Sequence, residues 1–165
     1  MNFGIGKKGN AIIDGVTVVV LIVAFAICSV IGYMVSDNLN DDLQLDDTIT
    51  TEAKDMNQGL HDKYSGLMDN LILMAFVLFI IFTVISAFML DTHPIFFMVS
   101  VILLVAVLVV AALMANVYDD LMLDDDLAPY ANEFTYTGWL MSHLLEVTIA
   151  LVFIITIVLF IKFKQ

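Results

Sequence analysis

Two seven-residue acidic runs hold the side chains best suited to chemistry. Asp41, Asp42, Asp46 and Asp47 frame the first, DDLQLDD; Asp119, Asp120, Asp124 and Asp125 frame the second, DDLMLDD. Clustered carboxylates offer the hard oxygen donors that calcium and magnesium take. The spacing is not that of an EF-hand loop, which needs a glycine at its turn. The chemistry open to these residues is weak binding of a divalent cation along an acidic rim, and no other cofactor is expected. The alternative is a solvated rim that keeps one face of the molecule in water.

Three further ionisable residues, Asp14, His143 and Glu146, lie inside apolar runs. Charges in such runs are costly and mark functional sites by default. His143 and Glu146 stand three apart, which puts them on one helix face and within reach of each other. Asp14 falls near the start of its run, where the helix macrodipole favours an acid and Lys7 or Lys8 can pair with it. Asp14 and Glu146 belong to opposite ends of their spans, so they form no pair and no continuous proton path. Cys28 is alone, and the three histidines are scattered, which disfavours a zinc site. No nucleophile–base pair, phosphate loop or HExxH helix is present. The chain is therefore expected not to be an enzyme.

The elements that must position these residues are membrane spans. Of 165 residues, 61% are hydrophobic, and mean hydropathy is +0.99. A soluble domain sits nearer 45–50% apolar, so part of the solvent must be lipid. Apolar runs cover 11–35, 71–90, 95–115 and 139–163, and acidic polar loops cover 36–70 and 116–138. A spanning helix needs about 20 residues, and each run meets that. This predicts an all-α integral membrane domain of four transmembrane helices with both termini on one side. A cleaved leader ending at Ala24-Phe25-Ala26 is the rival reading of the first run.

Within the first loop, Thr48 to Glu52 reads as a helix start. Ala53, Met56, Leu60, Tyr64, Leu67 and Leu71 then recur three and four apart, an amphipathic stripe. One helix from about Thr51 to Leu90 follows from it. Asp91-Thr92-His93-Pro94 leaves room only for a tight turn, which makes spans two and three antiparallel neighbours. Pro94 suits the first turn of the third helix. Ala24, Cys28 and Gly32 form a small-residue row on the first span, suited to helix packing within the chain or between copies.

Net charge is −12, with six lysines and no arginine. Nine acids lie in 37–69 and six in 119–133, whereas Lys7, Lys8, Lys162 and Lys164 lie near the termini. Such a chain is not expected to bind nucleic acid directly. The positive-inside rule puts the termini and the Asp91–Pro94 turn in the cytoplasm and both acidic loops on the opposite side. Tyr33, Tyr118, Tyr136 and Trp139 then fall where an interfacial aromatic belt would lie. The two acidic runs each follow an odd-numbered span, as a duplicated helical hairpin would place them; coincidence is the alternative in a chain so rich in Asp and Leu.

Two resemblances extend this reading. Lys7-Lys8-Gly9-Asn10-Ala11-Ile12-Ile13-Asp14 resembles a type IV prepilin amino terminus, although three more apolar runs follow it. The turn Phe88-Met89-Leu90-Asp91-Thr92-His93-Pro94-Ile95-Phe96-Phe97, with Asn116-Val117-Tyr118 and Ser142-His143-Leu144-Leu145, resembles small multi-span proteins associated with membrane-containing tailless icosahedral viruses. The second resemblance implies a structural protein of a host cytoplasmic or virion membrane. Its partners would be the lipid bilayer and other membrane or capsid proteins, in a homo- or hetero-oligomer. The rival functions are a small pore of holin type and a membrane subunit of a pilus or secretion assembly.

Overall fold

A computed structural model describes residues 11–89 and 94–163. Among the described residues the chain forms six helices and no strand: α1 (Ala11–Leu45), α2 (Thr51–Met89), α3 (Pro94–Met122), α4 (Ala128–Ala131), α5 (Thr135–Ser142) and α6 (Leu144–Phe163). The protein is an integral membrane protein. Long apolar stretches within α1, α2, α3 and α6 are each sufficient to cross a bilayer. An even number of crossings brings both ends of the bundle to the same side, here named the tail end; the acidic end is the head.

Around the bundle, α1 packs on α2 and α3, and α6 packs on α3 and α2. The short link at 90–93 predicts side-by-side packing of spans two and three. Among the described residues α2 and α3 instead both pack on α1 and α6, so they occupy opposite corners. The turn itself lies outside the described residues. Pro94 opens α3, where its missing N–H is not needed.

Two apolar layers fill the interior. The layer toward the head contains Val23, Ala26, Ile72, Phe76, Ala111 and Leu144; that toward the tail contains Ala87, Leu104, Leu151, Ile155 and Leu159. Lipid is as apolar as leucine, so close van der Waals contact rather than burial from water holds these helices together. The small residues that permit close approach are Ala26, Ala87 and Ala111, all fully or almost fully buried. In the small-residue row read from sequence, Ala24 and Cys28 are exposed and only Gly32 faces a neighbour, the Tyr64 hydroxyl. At the tail end, Lys162 Nζ donates to the Phe88 carbonyl at 2.6 Å and ties α6 to α2.

The helices run further than the apolar runs. α1 continues ten residues past the apolar limit at Val35, and α3 continues to Met122. At 1.5 Å per residue, α1 and α2 are about 52 and 58 Å long, well beyond a hydrocarbon core of about 30 Å. Their head ends project as an antiparallel hairpin closed by the short link 46–50. Within the polar stretch 36–70 the helix expected from about Thr51 is present, and residues 36–45, expected as loop, continue α1. Polar bonds between the two helices explain it: Asn40 donates to Gln58 at 2.9 Å and accepts from Asn57 at 2.8 Å, while Lys54 Nζ donates to the Gln44 carbonyl at 2.8 Å.

The hairpin is inverted relative to a soluble one. Its packing face is polar, and the stripe of Met56, Leu60 and Leu67 points outward, 70, 65 and 55% exposed. The two halves of the chain also differ. α1 returns through a tight link into the 39-residue α2, whereas α3 returns through α4 and α5 into the 20-residue α6. Likeness of the halves is confined to the acidic run at the end of each head-bound helix.

Candidate functional site

The head holds the polar groups that the fold organises. The first acidic run ends α1, and the second ends α3. Neither helix has a basic residue in its last turn, so the carboxylates face the negative end of a helix dipole, which pushes them toward water. Asp41, Asp42, Asp46 and Asp47 are exposed, as are Asp119, Asp120, Asp124 and Asp125. Among the described residues no three His, Cys, Asp or Glu side chains converge to hold a metal ion. Asp46 has a local role instead. It accepts from the Thr48 hydroxyl at 2.6 Å and the Thr48 amide at 2.8 Å, and these bonds hold its carboxyl below the usual range. Asp124 likewise accepts from the Asp126 amide at 3.0 Å.

The strongest site in the head is Asp69. It is 4% exposed, at the point where α2 meets the apolar zone. Its Oδ1 accepts from the Thr137 amide at 2.6 Å and the Thr137 hydroxyl at 2.7 Å, and its Oδ2 accepts from the Tyr136 amide at 2.9 Å. These amides belong to the first turn of α5. The residue before that turn, Phe134, has no side-chain oxygen to cap it and is wholly buried. A carboxylate from α2 thus does the work of an N-cap on α5, with the macrodipole in its favour. Tyr118 of α3 lies close to Asp69 and Asp119. Its hydroxyl is buried and is without a hydrogen-bond partner among the described residues.

Beside this clamp, four rings gather around Tyr33. His61 stacks on it at 5.1 Å and Tyr64 at 5.9 Å; Tyr130 and Phe134 meet it edge-on at 6.1 and 5.9 Å. His61 is nearly buried, with Nε2 3.2 Å from an Asp37 oxygen and Nδ1 3.4 Å from the Ser36 hydroxyl. Burial pushes the Tyr130 phenol up, and the Asp37, Asp41 and Asp126 carboxylates push in the same direction. Four elements, α1, α2, α4 and α5, are fastened together here.

The residues singled out from sequence occupy other places. Asp14 lies in the first turns of α1, and its side chain is outside those described, as are residues 1–10. His143 ends α5, and the fourth apolar run is therefore two helices and not one. Its ring stacks on Trp139 at 4.9 Å, and Nδ1 lies 2.9 Å from the Trp139 carbonyl. Glu146 is exposed in the first turn of α6, where the dipole favours it. The aromatic belt divides. Tyr136 and Trp139 are more than half exposed, as belt residues are, whereas Tyr118 is buried and Tyr33 is the hub of the ring cluster. Sequence reasoning passed over Asp69 and His61. Asp69 falls on the side of α2 opposite the apolar stripe and His61 at the stripe's edge, and neither position by itself names a partner. Compared with family models, curated proteins and solved structures, the chain matches none.

Proposed function

We propose that the protein is a non-catalytic membrane scaffold: four helices hold it in the bilayer, and a braced acidic head contacts neighbouring proteins. The observation that carries this reading is the use of the head's buried polar groups. Asp69 binds a helix end, and His61 binds Asp37; both fix architecture, leaving the exposed carboxylates of the two acidic runs as the surface offered outward. The resemblance to small proteins of membrane-containing icosahedral viruses gives the setting, a virion membrane beneath a capsid shell. Carboxyl-to-amine cross-linking of purified particles tests it. The expected result is the protein in many copies, joined through residues 41–47 or 119–125 to lysines of membrane or capsid proteins. Its absence from purified particles overturns the viral setting, and its presence without any cross-link overturns the scaffold role.

A further inference from the structure

The outer face of α5 and the first turn of α6 hold four side chains that the scaffold does not use. Tyr136, Trp139, His143 and Glu146 follow one another three or four residues apart, and all four are exposed. Thr137, Leu140, Met141 and Leu144, on the other side, are buried. The break at His143 bends the helix without losing its register. The His143 amide donates to the Trp139 carbonyl at 3.2 Å, and the Val147 amide donates to the His143 carbonyl at 3.0 Å. The four side chains therefore line one face through the bend.

That face is rich in acceptors. His143 Nδ1 lies 2.9 Å from the Trp139 carbonyl and 3.0 Å from the Ser142 hydroxyl, which itself donates to that carbonyl at 2.9 Å. A carbonyl only accepts, so Nδ1 carries the proton of the neutral ring and Nε2 presents a lone pair. The imidazole stacks on one side of the Trp139 ring at 4.9 Å, and Trp139 is still 57% exposed. Glu146 adds a carboxylate, and its Cα–Cβ bond tilts toward the helix N-terminus and hence toward the head. Neither α5 nor α6 has a Lys or Arg before Lys162. The face offers a carboxylate, an acceptor nitrogen and two aromatic rings to a cation.

Its level in the bilayer names the occupant. Leu144 opens the stretch of α6 able to cross. Trp139 lies five residues earlier, about 7 Å at 1.5 Å per residue, and the headgroup layer on each side of the hydrocarbon is about 5–7 Å thick. Lipid headgroups therefore cover this face. We infer that it binds a phospholipid whose headgroup ends in a primary ammonium, as ethanolamine does. The ammonium sits over the free side of the Trp139 ring. It donates to the Glu146 carboxylate and to His143 Nε2; a quaternary ammonium has no N–H to give them. The inference rests on the membrane-spanning fold and is independent of the scaffold role.

Trp139 is the only tryptophan, so its fluorescence reports on this face alone. The full chain is reconstituted in phosphatidylcholine bilayers containing brominated-chain lipids of one headgroup at a time, which quench an adjacent tryptophan. Brominated phosphatidylethanolamine should bind beside Trp139 about threefold more strongly than brominated phosphatidylcholine or phosphatidylglycerol. Glu146→Gln should abolish that preference and leave quenching by the choline lipid unchanged. Glu52→Gln, in the projecting hairpin, should leave the preference intact. Equal binding of the ethanolamine and choline lipids by the parent chain overturns the inference, as does a preference that survives Glu146→Gln or a preference for phosphatidylglycerol. Absence of quenching by every brominated lipid would place Trp139 away from lipid and overturn it as well.

Discussion

At the scale of residues, Asp69 shows how one carboxylate can be decisive among eighteen acids. Its three donors come from a helix 67 and 68 residues further along the chain. Hydrogen bonds to a charged group contribute about 1.5–3 kcal/mol, and losing a helix cap costs about 1 kcal/mol. Asp69→Ala should therefore destabilise the fold by about 3 kcal/mol, measured by reversible unfolding in mixed micelles. Asp69→Asn should recover part of the loss, since its amide oxygen still accepts while its NH2 group meets donors. Tyr118→Phe should act in the opposite direction. A hydroxyl buried without a partner costs about 1–3 kcal/mol, and removing it should raise stability by about 1 kcal/mol. A loss of stability in Tyr118→Phe would show that the hydroxyl is bonded after all. Sequence alone did not single out Asp69, because a residue's partner in a distant helix leaves no local pattern.

At the scale of elements, local periodicity was sufficient to place α2 and silent about which face packs. The hydroxyl-rich start at Thr51 and the spacing of three and four placed the helix correctly. The amphipathic stripe did not say which face would pack: Met56, Leu60 and Leu67 stay outside, its member Tyr64 stacks on Tyr33, and polar residues join α2 to α1. The α1 extension was hidden for a related reason. Asn38, Asn40, Asp41 and Asp42 read as loop by propensity, and cross-hairpin amide bonds overrode it. Gly32 of α1 lies directly against Tyr64 of α2. A Cβ there would collide with the Tyr64 hydroxyl, and Tyr64 can turn away only by giving up its stacking on Tyr33. Aromatic pairs contribute about 0.5–1.5 kcal/mol, so Gly32→Ala should destabilise by about 1 kcal/mol. In a double-mutant cycle, Tyr64→Phe should rescue most of that loss, since it removes the colliding oxygen and keeps the ring. Absence of rescue would place the strain elsewhere.

At the scale of the molecule, length and charge combine to predict an orientation. The four crossing segments match a core of about 30 Å when each contributes about 20 residues, and α6, with 20 residues from Leu144 to Phe163, sets the level of both boundaries. That level leaves the hairpin and both acidic runs beyond the head boundary. Lys162 at the tail reaches back to cap α2, as a lysine at a membrane edge does. Lys7, Lys8, Lys162 and Lys164 lie toward the tail by sequence, and the acidic runs carry no lysine. Positive residues in short flanking segments stay in the cytoplasm, whereas acids contribute little to the choice. The head should therefore face away from the cytoplasm when the chain inserts into a cell's membrane. With Cys28→Ser as background, a membrane-impermeant maleimide added to intact cells should label Asp47→Cys and Asp125→Cys and leave Gln165→Cys unlabelled until the membrane is opened. Labelling of Gln165→Cys in intact cells, with Asp47→Cys protected, would reverse the orientation. The fold would stand, but the acidic head would then meet cytoplasmic partners.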